Sequence, residues 1–491
     1  MTAAFTLLDW SVLLVYFGVI TWIGHRLSGQ QSSTHEYFLG SRDVPWYAVS
    51  ASIVATAVSG VTFIGVPALV FAEGGDLRYL QFCLAGFISK WLLGRFILPR
   101  LYERHYPSPY DFIGAQLGPV FGKLAAGLFF LGAVLGQGVR VFAIALVLEL
   151  LTGLSMGICV GVIVGFSALH TWLGGIRAVI WTDVVQFFVF VVGGLFAVTF
   201  ASSAHPDGLS GIWLAAEPLG KTRILDFTTD PTVNFAFWAG VFAMPFQNLA
   251  AYGSDQLNTQ RMLCCRSVRE ARLALYVSNA GEGVVVLFLL VGLAIWGFYQ
   301  INPLDPAFAA LVRENGDRIF PAFILSEIPA GARGLVVAGI FAAAMSSLDS
   351  VLAALAQTSL TIFHPGYTAG TLTDARAVAW SRMLVLLWAI ALGGFAVLLT
   401  GNETGLVPLA FSMTAYTYGP MLGVFLLALF APHRVISAPL GVIASIAVVL
   451  WLDQSTAIAF PWLFPAGVLT CVLMALIPWR RPARARVPSG S

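Results

Sequence analysis

Long runs of apolar residues, separated by short polar stretches, follow one another along almost the whole chain. A helix that crosses a lipid bilayer needs about 20 mostly apolar residues. By that length the pattern predicts about thirteen membrane-spanning helices, with boundaries that are uncertain by a few residues. In order, the predicted spans are 8–27, 45–72, 79–99, 120–152, 155–173, 178–202, 232–256, 272–299, 332–362, 378–400, 404–431, 436–453 and 459–479.

Composition supports a membrane location for the chain. Of its 491 residues, 58% are hydrophobic and 10% are charged, and the mean hydropathy is +0.85. Soluble domains carry about 25% charged residues, so this composition excludes a soluble enzyme. With a net charge of +2 and scattered basic residues, we expect no nucleic-acid partner. The sequence therefore predicts an all-α polytopic membrane protein, with one integral membrane domain over residues 1–491.

The positions of lysine and arginine predict how the chain is oriented. Most of the 26 Lys and Arg residues fall in segments that are cytoplasmic if the N-terminus lies outside. An odd number of spans then places the C-terminus in the cytoplasm. We therefore predict a multi-pass protein of the cell membrane with its N-terminus outside, and two longer external loops at 203–231 and 300–331.

Two predicted spans contain residues that break helices. Span 45–72 carries Gly60 and Pro67, and span 232–256 carries Pro245. Backbone carbonyls freed by a break are tolerated in a membrane only where they line a cavity, so each break is a candidate ion or substrate site. Close helix packing through small residues is the alternative for the first of them.

The two breaks have a regular relation along the chain. They lie five spans apart, and each begins a run of five spans that cross the membrane in opposite directions. This layout is typical of an inverted-topology repeat, in which the binding site lies at the unwound helices. We predict a first repeat at 45–202 and a second at 232–431.

The ninth span, 332–362, combines small and hydroxyl side chains on one face. Ala343, Ser346, Ser347 and Ser350 are spaced so that they share one side of a helix. Hydroxyl and carbonyl oxygens suit a hard cation such as Na⁺. The adjoining carboxylate, Asp349, is expensive in hydrocarbon and must face an ion, a partner or water.

Five other polar residues inside predicted spans have alternative interpretations. Asp183 either forms part of a site or pairs with the arginine at the cytoplasmic end of its own span. Arg140 suits a carboxylate, or it forms a structural pair with Glu282, which could instead meet a polar group of the substrate. We expect Lys90 to extend to the cytoplasmic interface and His170 to cap a helix.

Four ordered motifs carry a resemblance that covers nearly the whole chain. They are YFLGSRDVPWYAVSASIVAT…SGVTFIGVPA, GGIRAVIWTDVVQ, SDQLNTQRML and GLVVAGIFAAAMSSLDS. With them the chain resembles the sodium/solute symporter family, whose members carry sugars, proline, sialic acids, iodide, vitamins and monocarboxylates. The resemblance implies the inverted five-helix-repeat fold and Na⁺ as the coupling ion.

The same resemblance implies positions for bound cations. For the conserved sodium site it implies the carbonyls of Ala55, Val58 and Ala343 and the hydroxyls of Ser346 and Ser347. A second cation site, which some relatives have, would use Asp183, Ser346, Asp349 and Ser350. Many relatives have serine where Asp349 stands, so this carboxylate could tighten cation binding or hold a proton.

The family's substrate positions do not transfer to this chain one by one. Ala57 and Thr62 depart from the residues expected in proline and sugar carriers. The FIGVP run and the segment Ser254-Asp255-Gln256 look closer to the branch with anion and monocarboxylate carriers. Our candidate substrate residues are Ser59, Thr62, Arg140, Gln247, Asn248, Glu282, Tyr416 and Tyr418.

The combined prediction is a transporter rather than an enzyme. We predict a Na⁺-coupled symporter that imports a small polar organic solute, with a carboxylate-bearing solute favoured, by alternating access. The alternatives are a proton-coupled symporter of the same fold, a sodium-coupled amino-acid or sugar carrier, and a transporter-like membrane sensor. The predicted partners are Na⁺, the solute and the lipid bilayer, and a monomer should suffice because transport needs no second copy.

Overall fold

A computed structural model describes residues 5–27, 42–103, 106–174, 176–368, 370–402, 404–435 and 437–477, and within these ranges the chain contains no β-strand. The α-helices are α1 Leu7–Leu27, α2 Trp46–Ala57, α3 Gly60–Phe71, α4 Cys83–Leu92, α5 Leu98–Glu103, α6 Pro109–Leu117, α7 Pro119–Thr152, α8 Met156–Gly174, α9 Ile176–Ser203, α10 Gly208–Ala216, α11 Met244–Leu249, α12 Gln256–Leu263, α13 Val268–Val277, α14 Glu282–Ile301, α15 Pro306–Glu314, α16 Ile319–Ser326, α17 Ala332–Thr358, α18 Pro365–Thr368, α19 Asp374–Leu398, α20 Leu406–Phe430, α21 Ala438–Ser455 and α22 Leu463–Leu476. Tighter 3₁₀ turns are Arg78–Phe82, Glu217–Leu219, Ser278–Gly281, Gly316–Arg318, Pro432–Arg434 and Phe460–Trp462, and wider π turns are Leu93–Ile97, Ala239–Ala243, Ala250–Ser254 and Ser359–Phe363.

The described helices confirm a polytopic membrane fold. Nine helical segments in the described ranges are long and apolar enough to cross a bilayer, two of which join α4 to α5 and α13 to α14. The bent pair α2–α3 forms a tenth candidate. Two shorter apolar helices, Met156–Trp172 and Phe460–Leu476, coincide with predicted spans. The total of about thirteen spans, like the orientation of the termini, stays a prediction.

Helix α17 lies at the centre of the molecule. The most apolar window of its span is 94% buried, against 28% for α1. Helix α17 packs against nine other helices, among them both halves of the bent pair. Its alanine, glycine and serine side chains are small, so neighbouring helices approach closely. Every polar group on α17 must therefore find its partner inside the protein.

The first predicted break is confirmed, and it lies between α2 and α3. The two helices differ in direction by 54°, and the residues between them, Val58 and Ser59, have extended torsions. Gly60 begins α3 where a Cβ atom would lie 2.8 Å from the side chain of Ile144 on α7. The break thus precedes Gly60, while Pro67 lies inside α3 without ending it.

The second interruption has a different form from the one that the sequence predicts. The segment runs through two π turns with α11 between them, and it leaves helical geometry at Asp255, where φ is −88° and ψ is 128°. Pro245 lies in the first turn of α11, a position that tolerates proline because the missing N–H has no helical acceptor there. The helix is irregular around Pro245, because a π turn ends directly before α11. The chain leaves helical geometry only ten residues later, at Asp255, whose side chain caps α12.

Both interruptions lie near the start of the predicted repeats, 45–202 and 232–431. The long external loops predicted between spans contain the short helices α10, α15 and α16. The inverted relation between the repeats stays a prediction.

Candidate functional site

The first break faces two serine side chains of α17. Ser346 Oγ donates hydrogen bonds to the carbonyls of Ala55, at 2.8 Å, and Ala343, at 3.1 Å. Ser347 Oγ donates to the carbonyl of Thr56 at 3.0 Å. All five residues are buried. The structure thus brings together, from two helices, oxygens that the sequence assigns to one cation site.

This group of oxygens has the chemistry of a sodium site. Its members are neutral hydroxyls and carbonyls, which bind hard cations without losing a proton. The extended torsions of Val58 turn its carbonyl away from the helical direction of α2. A cation at the break would take these oxygens as ligands in exchange for the hydrogen bonds among them.

Two of the four residues predicted for a second cation site, Asp183 and Ser350, contact an arginine instead. Asp183 Oδ2 accepts from Ser52 Oγ at 2.5 Å and from Arg261 Nη2 at 3.2 Å. Arg261 also donates to Ser350 Oγ and to the Leu257 carbonyl. The alternative in which Asp183 pairs with the arginine of its own span is therefore wrong, because α12 brings Arg261 to it.

Asp349 has a different partner from the other predicted ligands. Its Oδ2 atom lies 2.6 Å from Nδ1 of His170 on α8, and both side chains are buried. His170 therefore acts as a side-chain partner of α17, and its prediction as a helix cap is wrong. The structure divides the predicted second site into an Arg261 group and a His170 group.

A cavity of about 190 Å³ lies beside the first break, lined by parts of α2, α3, α4, α7, α11, α14 and α20. Tyr416 lies outside this lining, although Tyr418 is part of it. Residues two apart on a helix point in nearly opposite directions, and the Tyr416 hydroxyl donates to Asp453 on α21. Tyr416 is thus the one substrate candidate that the structure places outside the cavity lining. The other seven substrate candidates line the cavity: Ser59, Thr62, Arg140, Gln247, Asn248, Glu282 and Tyr418.

Arg140 links the cavity to the first break. Its Nη1 atom donates to the Thr56 carbonyl at 3.3 Å, and this carbonyl also accepts from Ser347. Within the described ranges, no carboxylate oxygen lies within 4.0 Å of the Arg140 guanidinium. The remaining N–H groups of this side chain are thus available to a molecule in the cavity.

Glu282 is paired with Lys90, not with Arg140. The distance from Lys90 Nζ to Glu282 Oε1 is 3.8 Å, and Lys90 Nζ donates to the Ser278 carbonyl at 3.2 Å. Lys90 is only 3% exposed, so its predicted extension to the interface is wrong. Gly86 permits this packing, since a Cβ atom there would lie 2.4 Å from Glu282 Oε1.

At the second interruption, the Asp255 carboxylate accepts hydrogen bonds from the start of α12 and from α20. Asp255 Oδ1 accepts from the backbone N–H of Leu257 at 2.8 Å, which caps α12. Asp255 Oδ2 accepts from the Tyr418 hydroxyl at 2.8 Å. Both oxygens of this carboxylate therefore have protein donors.

Asp317 is a buried carboxylate in the 3₁₀ turn Gly316–Arg318, directly before α16, and it contacts the first residue of α20. Asp317 Oδ2 accepts from the Leu406 N–H at 2.8 Å, and a Cβ atom at Gly65 on α3 would lie 3.6 Å from Asp317 Oδ1. Burial raises the pKa of Asp317 from its ordinary 3.8 to about 6, against the lowering effect of the Leu406 hydrogen bond. This group can titrate near neutral pH.

Sequence reasoning missed Arg261 most clearly. It lies between two predicted spans, 232–256 and 272–299, where a charge is expected to face water, yet it is 1% exposed. A signal was present, because Arg261 belongs to the SDQLNTQRML motif. His170, the partner of Asp349, lies in none of the four motifs.

The family comparison decides what kind of protein carries this site. A profile of the sodium:solute symporter family matches residues 37–437. The chain belongs to the sodium:solute symporter family. This confirms the family predicted from the motifs, and with it a multi-pass membrane transporter of a sodium-coupled class.

Individual relatives of this symporter support the same assignment over the full chain. It is 28% identical over 458 residues to a sodium-dependent multivitamin transporter of Oryctolagus cuniculus, covering 92% of this chain and 71% of that protein. It is 26% identical over 493 residues to a sodium/sialic acid symporter of Proteus mirabilis, covering 98% and 97%. It is 26% identical over 484 residues to the sodium/iodide cotransporter of Homo sapiens, covering 95% and 72%.

A solved structure shares the fold of this symporter. The substrate-bound, outward-open state of a Na⁺-coupled sialic acid symporter matches it with a TM-score of 0.85 at 23% identity, covering 96% of this chain and 97% of that one. The predicted all-helical transporter fold is thereby confirmed.

Proposed function

We propose that this symporter couples the entry of one small carboxylate-bearing solute to sodium by alternating access. The observation that carries the proposal is the Thr56 carbonyl, which accepts from Ser347 at the break and from Arg140 at the cavity. One backbone group thus touches both the cation side and the solute side. The proposed sodium ligands are the carbonyls of Ala55, Val58 and Ala343 and the hydroxyls of Ser346 and Ser347.

The charges around the cavity favour an anionic solute. Lys90 is opposite Glu282, and Asp255 is satisfied by Tyr418 and by the start of α12. Arg140 is the cavity cation that keeps donors for a solute. Its planar guanidinium matches a carboxylate through two parallel hydrogen bonds.

The volume of the cavity favours a small solute. Pockets for drug-sized ligands run to about 300–1,000 Å³, and this cavity measures about 190 Å³. Polar side chains at Ser59, Thr62, Gln247 and Asn248 supply further donors and acceptors around Arg140. A short organic acid with one or two additional polar groups fits this lining.

The shared carbonyl also provides a mechanism of coupling. When Na⁺ binds, the Ser347 hydroxyl becomes a ligand and releases the Thr56 carbonyl, which is then free to hold Arg140 more firmly. Arg140 is thereby oriented for the solute before the solute binds. A ligand pair that stabilises one state in this way binds cooperatively, and each raises the affinity for the other.

A thermal-stability screen with matched solute pairs tests the proposal. The purified protein is heated in NaCl or choline chloride with organic acids and with the corresponding amides, such as lactate and lactamide or pyruvate and pyruvamide. A ligand that binds only the folded state raises the melting temperature by an amount set by its concentration relative to Kd. We expect shifts that require both sodium and the free carboxylate.

Two Arg140 variants test whether Arg140 binds the carboxylate of the solute. Arg140→Gln should abolish the preference for an acid over its amide, and Arg140→Lys should keep the preference but weaken binding about tenfold, because lysine keeps the charge without the paired geometry. An acid that binds Arg140→Gln as well as it binds the wild type would contradict the solute assignment. An acid that binds equally well in choline chloride would contradict sodium coupling.

A further inference from the structure

We propose that Gln137 selects solutes that carry a hydroxyl group on the carbon next to their carboxylate. This inference deepens the proposed function and rests on it, because it takes Arg140 as the residue that binds the carboxylate. It starts from a buried side chain in the cavity lining. Gln137 is 7% exposed, and within the described ranges its Oε1 atom has no hydrogen-bond partner.

Gln137 lies beside Arg140 on the wall of the cavity that α7 forms. The residues of α7 in this wall are Phe129, Gly132, Ala133, Gly136, Gln137 and Arg140. They recur at intervals of three and four, so they follow one face of the helix. Gln137 and Arg140, three positions apart, are neighbours on this face and are its two polar side chains. A solute that binds Arg140 through its carboxylate therefore brings the adjoining carbon near Gln137.

The polar group that α20 brings to this wall is already engaged. Gly136 allows α20 to approach α7 closely, since a Cβ atom there would lie 2.6 Å from Cγ2 of Thr414. The Thr414 hydroxyl donates to two carbonyls of its own helix, Ala410 at 3.1 Å and Phe411 at 2.9 Å. A buried amide oxygen without a partner costs free energy. Water in the empty cavity, or a donor on the solute, supplies the partner that Gln137 needs.

The kind of donor follows from the amide oxygen of Gln137 and from the charge of Arg140. A keto oxygen only accepts hydrogen bonds, so it cannot satisfy another acceptor. An ammonium group donates, but next to a carboxylate at Arg140 it would lie close to a like charge in a medium of low dielectric constant. A methylene would displace water from Gln137 without replacing its hydrogen bond, which lowers affinity. A hydroxyl donates without carrying a charge, so the cavity favours a 2-hydroxy acid.

Matched acids test this selection in the wild-type protein. The purified full-length protein is titrated in NaCl with glycolate against acetate, lactate against propionate, and 2-hydroxybutyrate against butyrate, and the thermal shifts give a Kd for each acid. In each pair that binds, we expect the hydroxylated acid to bind at least about fivefold more tightly, because the other acid leaves a buried acceptor unpaired. Pyruvate and alanine should bind more weakly than lactate. A ratio below about fivefold, or pyruvate binding as tightly as lactate, would overturn the inference and leave the proposed function intact.

The variant Gln137→Leu tests whether this residue causes the preference. It removes the carboxamide, so the deoxy acids should bind more tightly than they bind the wild type, and the ratio within each pair should fall below about fivefold. Since Gln137 Oε1 has no partner in the described part of the protein, Gln137→Leu should melt at or above the wild type when no solute is present. A glutamine with a purely structural role would instead lower the melting temperature and leave the ratio unchanged.

A second apolar variant guards against a failure to fold. Gln137→Met keeps an unbranched side chain and should lose the hydroxyl preference in the same way. A folded Gln137→Leu or Gln137→Met that keeps the preference would overturn the inference. So would a folded variant that binds neither acid of a pair, because Gln137 would then hold the shape of the cavity and not the hydroxyl of the solute.

The variant Gln137→Glu tests whether this side chain reaches the carboxylate subsite at Arg140. The new carboxylate should pair with the guanidinium three residues along and exclude every acid. Gln357→Leu is the matched control, because this buried glutamine of α17 accepts from Gln256 at 3.0 Å and lies outside the cavity lining. It should melt below the wild type and keep the hydroxyl preference. Acid binding in Gln137→Glu as tight as in the wild type would overturn the inference.

The outcomes separate the two proposals. Acids that require sodium and Arg140 but show no preference for a hydroxyl would overturn the inference alone. If no acid stabilises the wild type in NaCl, the proposed function is wrong, and the inference is wrong with it.

Discussion

In both interrupted helices of this symporter, polar groups leave the helical hydrogen-bond pattern and need other partners, and the two helices provide those partners differently. At the first break, between α2 and α3, the freed carbonyls of Ala55 and Thr56 meet hydroxyls that come from another helix, α17. At the second, the chain leaves helical geometry at Asp255, and the side chain of that residue caps the helix that follows.

The two breaks differ in whether their hydrogen bonds can be exchanged for bonds to a cation. A serine hydroxyl that donates to a carbonyl can turn and coordinate a cation, so the first break can exchange internal hydrogen bonds for ligand bonds. At the second, Asp255 is satisfied by Leu257 and Tyr418, and releasing it would leave a buried carboxylate without donors. The first break is thus suited to binding an ion, and the second to holding helices α12 and α20 together.

Removing the α17 hydroxyls gives the largest expected effect on this contrast. In Ser346→Ala/Ser347→Ala we expect the sodium affinity to fall by at least about 100-fold, because each of the two lost charge-assisted contacts is worth about 1.5–3 kcal/mol. The measurement is the sodium concentration that half-saturates thermal stabilisation. Ser445→Ala is the matched control, since this buried serine of α21 donates to the Gly467 carbonyl and lies on a different helix from the site. Equal sodium affinity in the double variant and the control would refute the site.

Removing the Asp255 side chain should destabilise the protein without weakening sodium binding. Loss of a helix cap costs about 0.5–2 kcal/mol, so Asp255→Ala should melt roughly 1–5 °C below the wild type, with the sodium-induced shift retained. Asp207→Ala serves as the control, because Asp207 precedes α10 without capping it. A selective loss of the sodium shift in Asp255→Ala would mean that the second interruption also binds the ion.

The smallest expected effect concerns Asp317, whose carboxylate accepts from the first N–H of α20 and lies near α3. Since its pKa is raised to about 6, the folded state favours the protonated acid, and stability falls as the pH rises from about 4 to about 6. Asp317→Asn removes this contribution, so the melting temperature of the variant relative to the wild type should rise by roughly 1–3 °C over that range. A difference that does not change with pH would rule out titration of Asp317 in this window.

The fold was largely predictable from the sequence, because apolar runs of about 20 residues predict membrane-spanning helices directly. The break at Gly60 was also accessible, since small polar residues cluster there. The second interruption was misplaced because proline is a visible signal in a sequence, whereas a capping bond between Asp255 and a backbone N–H two residues later appears only in three dimensions.

The site was predictable in its types of residue but not in its pairing. The serines of α17 follow from their spacing on one face. The partners of Asp183, Asp349 and Glu282 come from distant parts of the chain, Arg261, His170 and Lys90, so no local pattern specifies them. Charged residues in an apolar chain indicate that partners exist without saying which they are.

Uptake into proteoliposomes tests most directly whether the first break couples sodium to a carboxylate. The purified protein is reconstituted, and accumulation of the acid found in the screen is followed under an inward sodium gradient, or under an inward proton gradient in choline chloride. We predict accumulation with the sodium gradient only, and none in the Ser346→Ala/Ser347→Ala variant at the same sodium concentration. Accumulation driven by the proton gradient without sodium would contradict sodium coupling at this site.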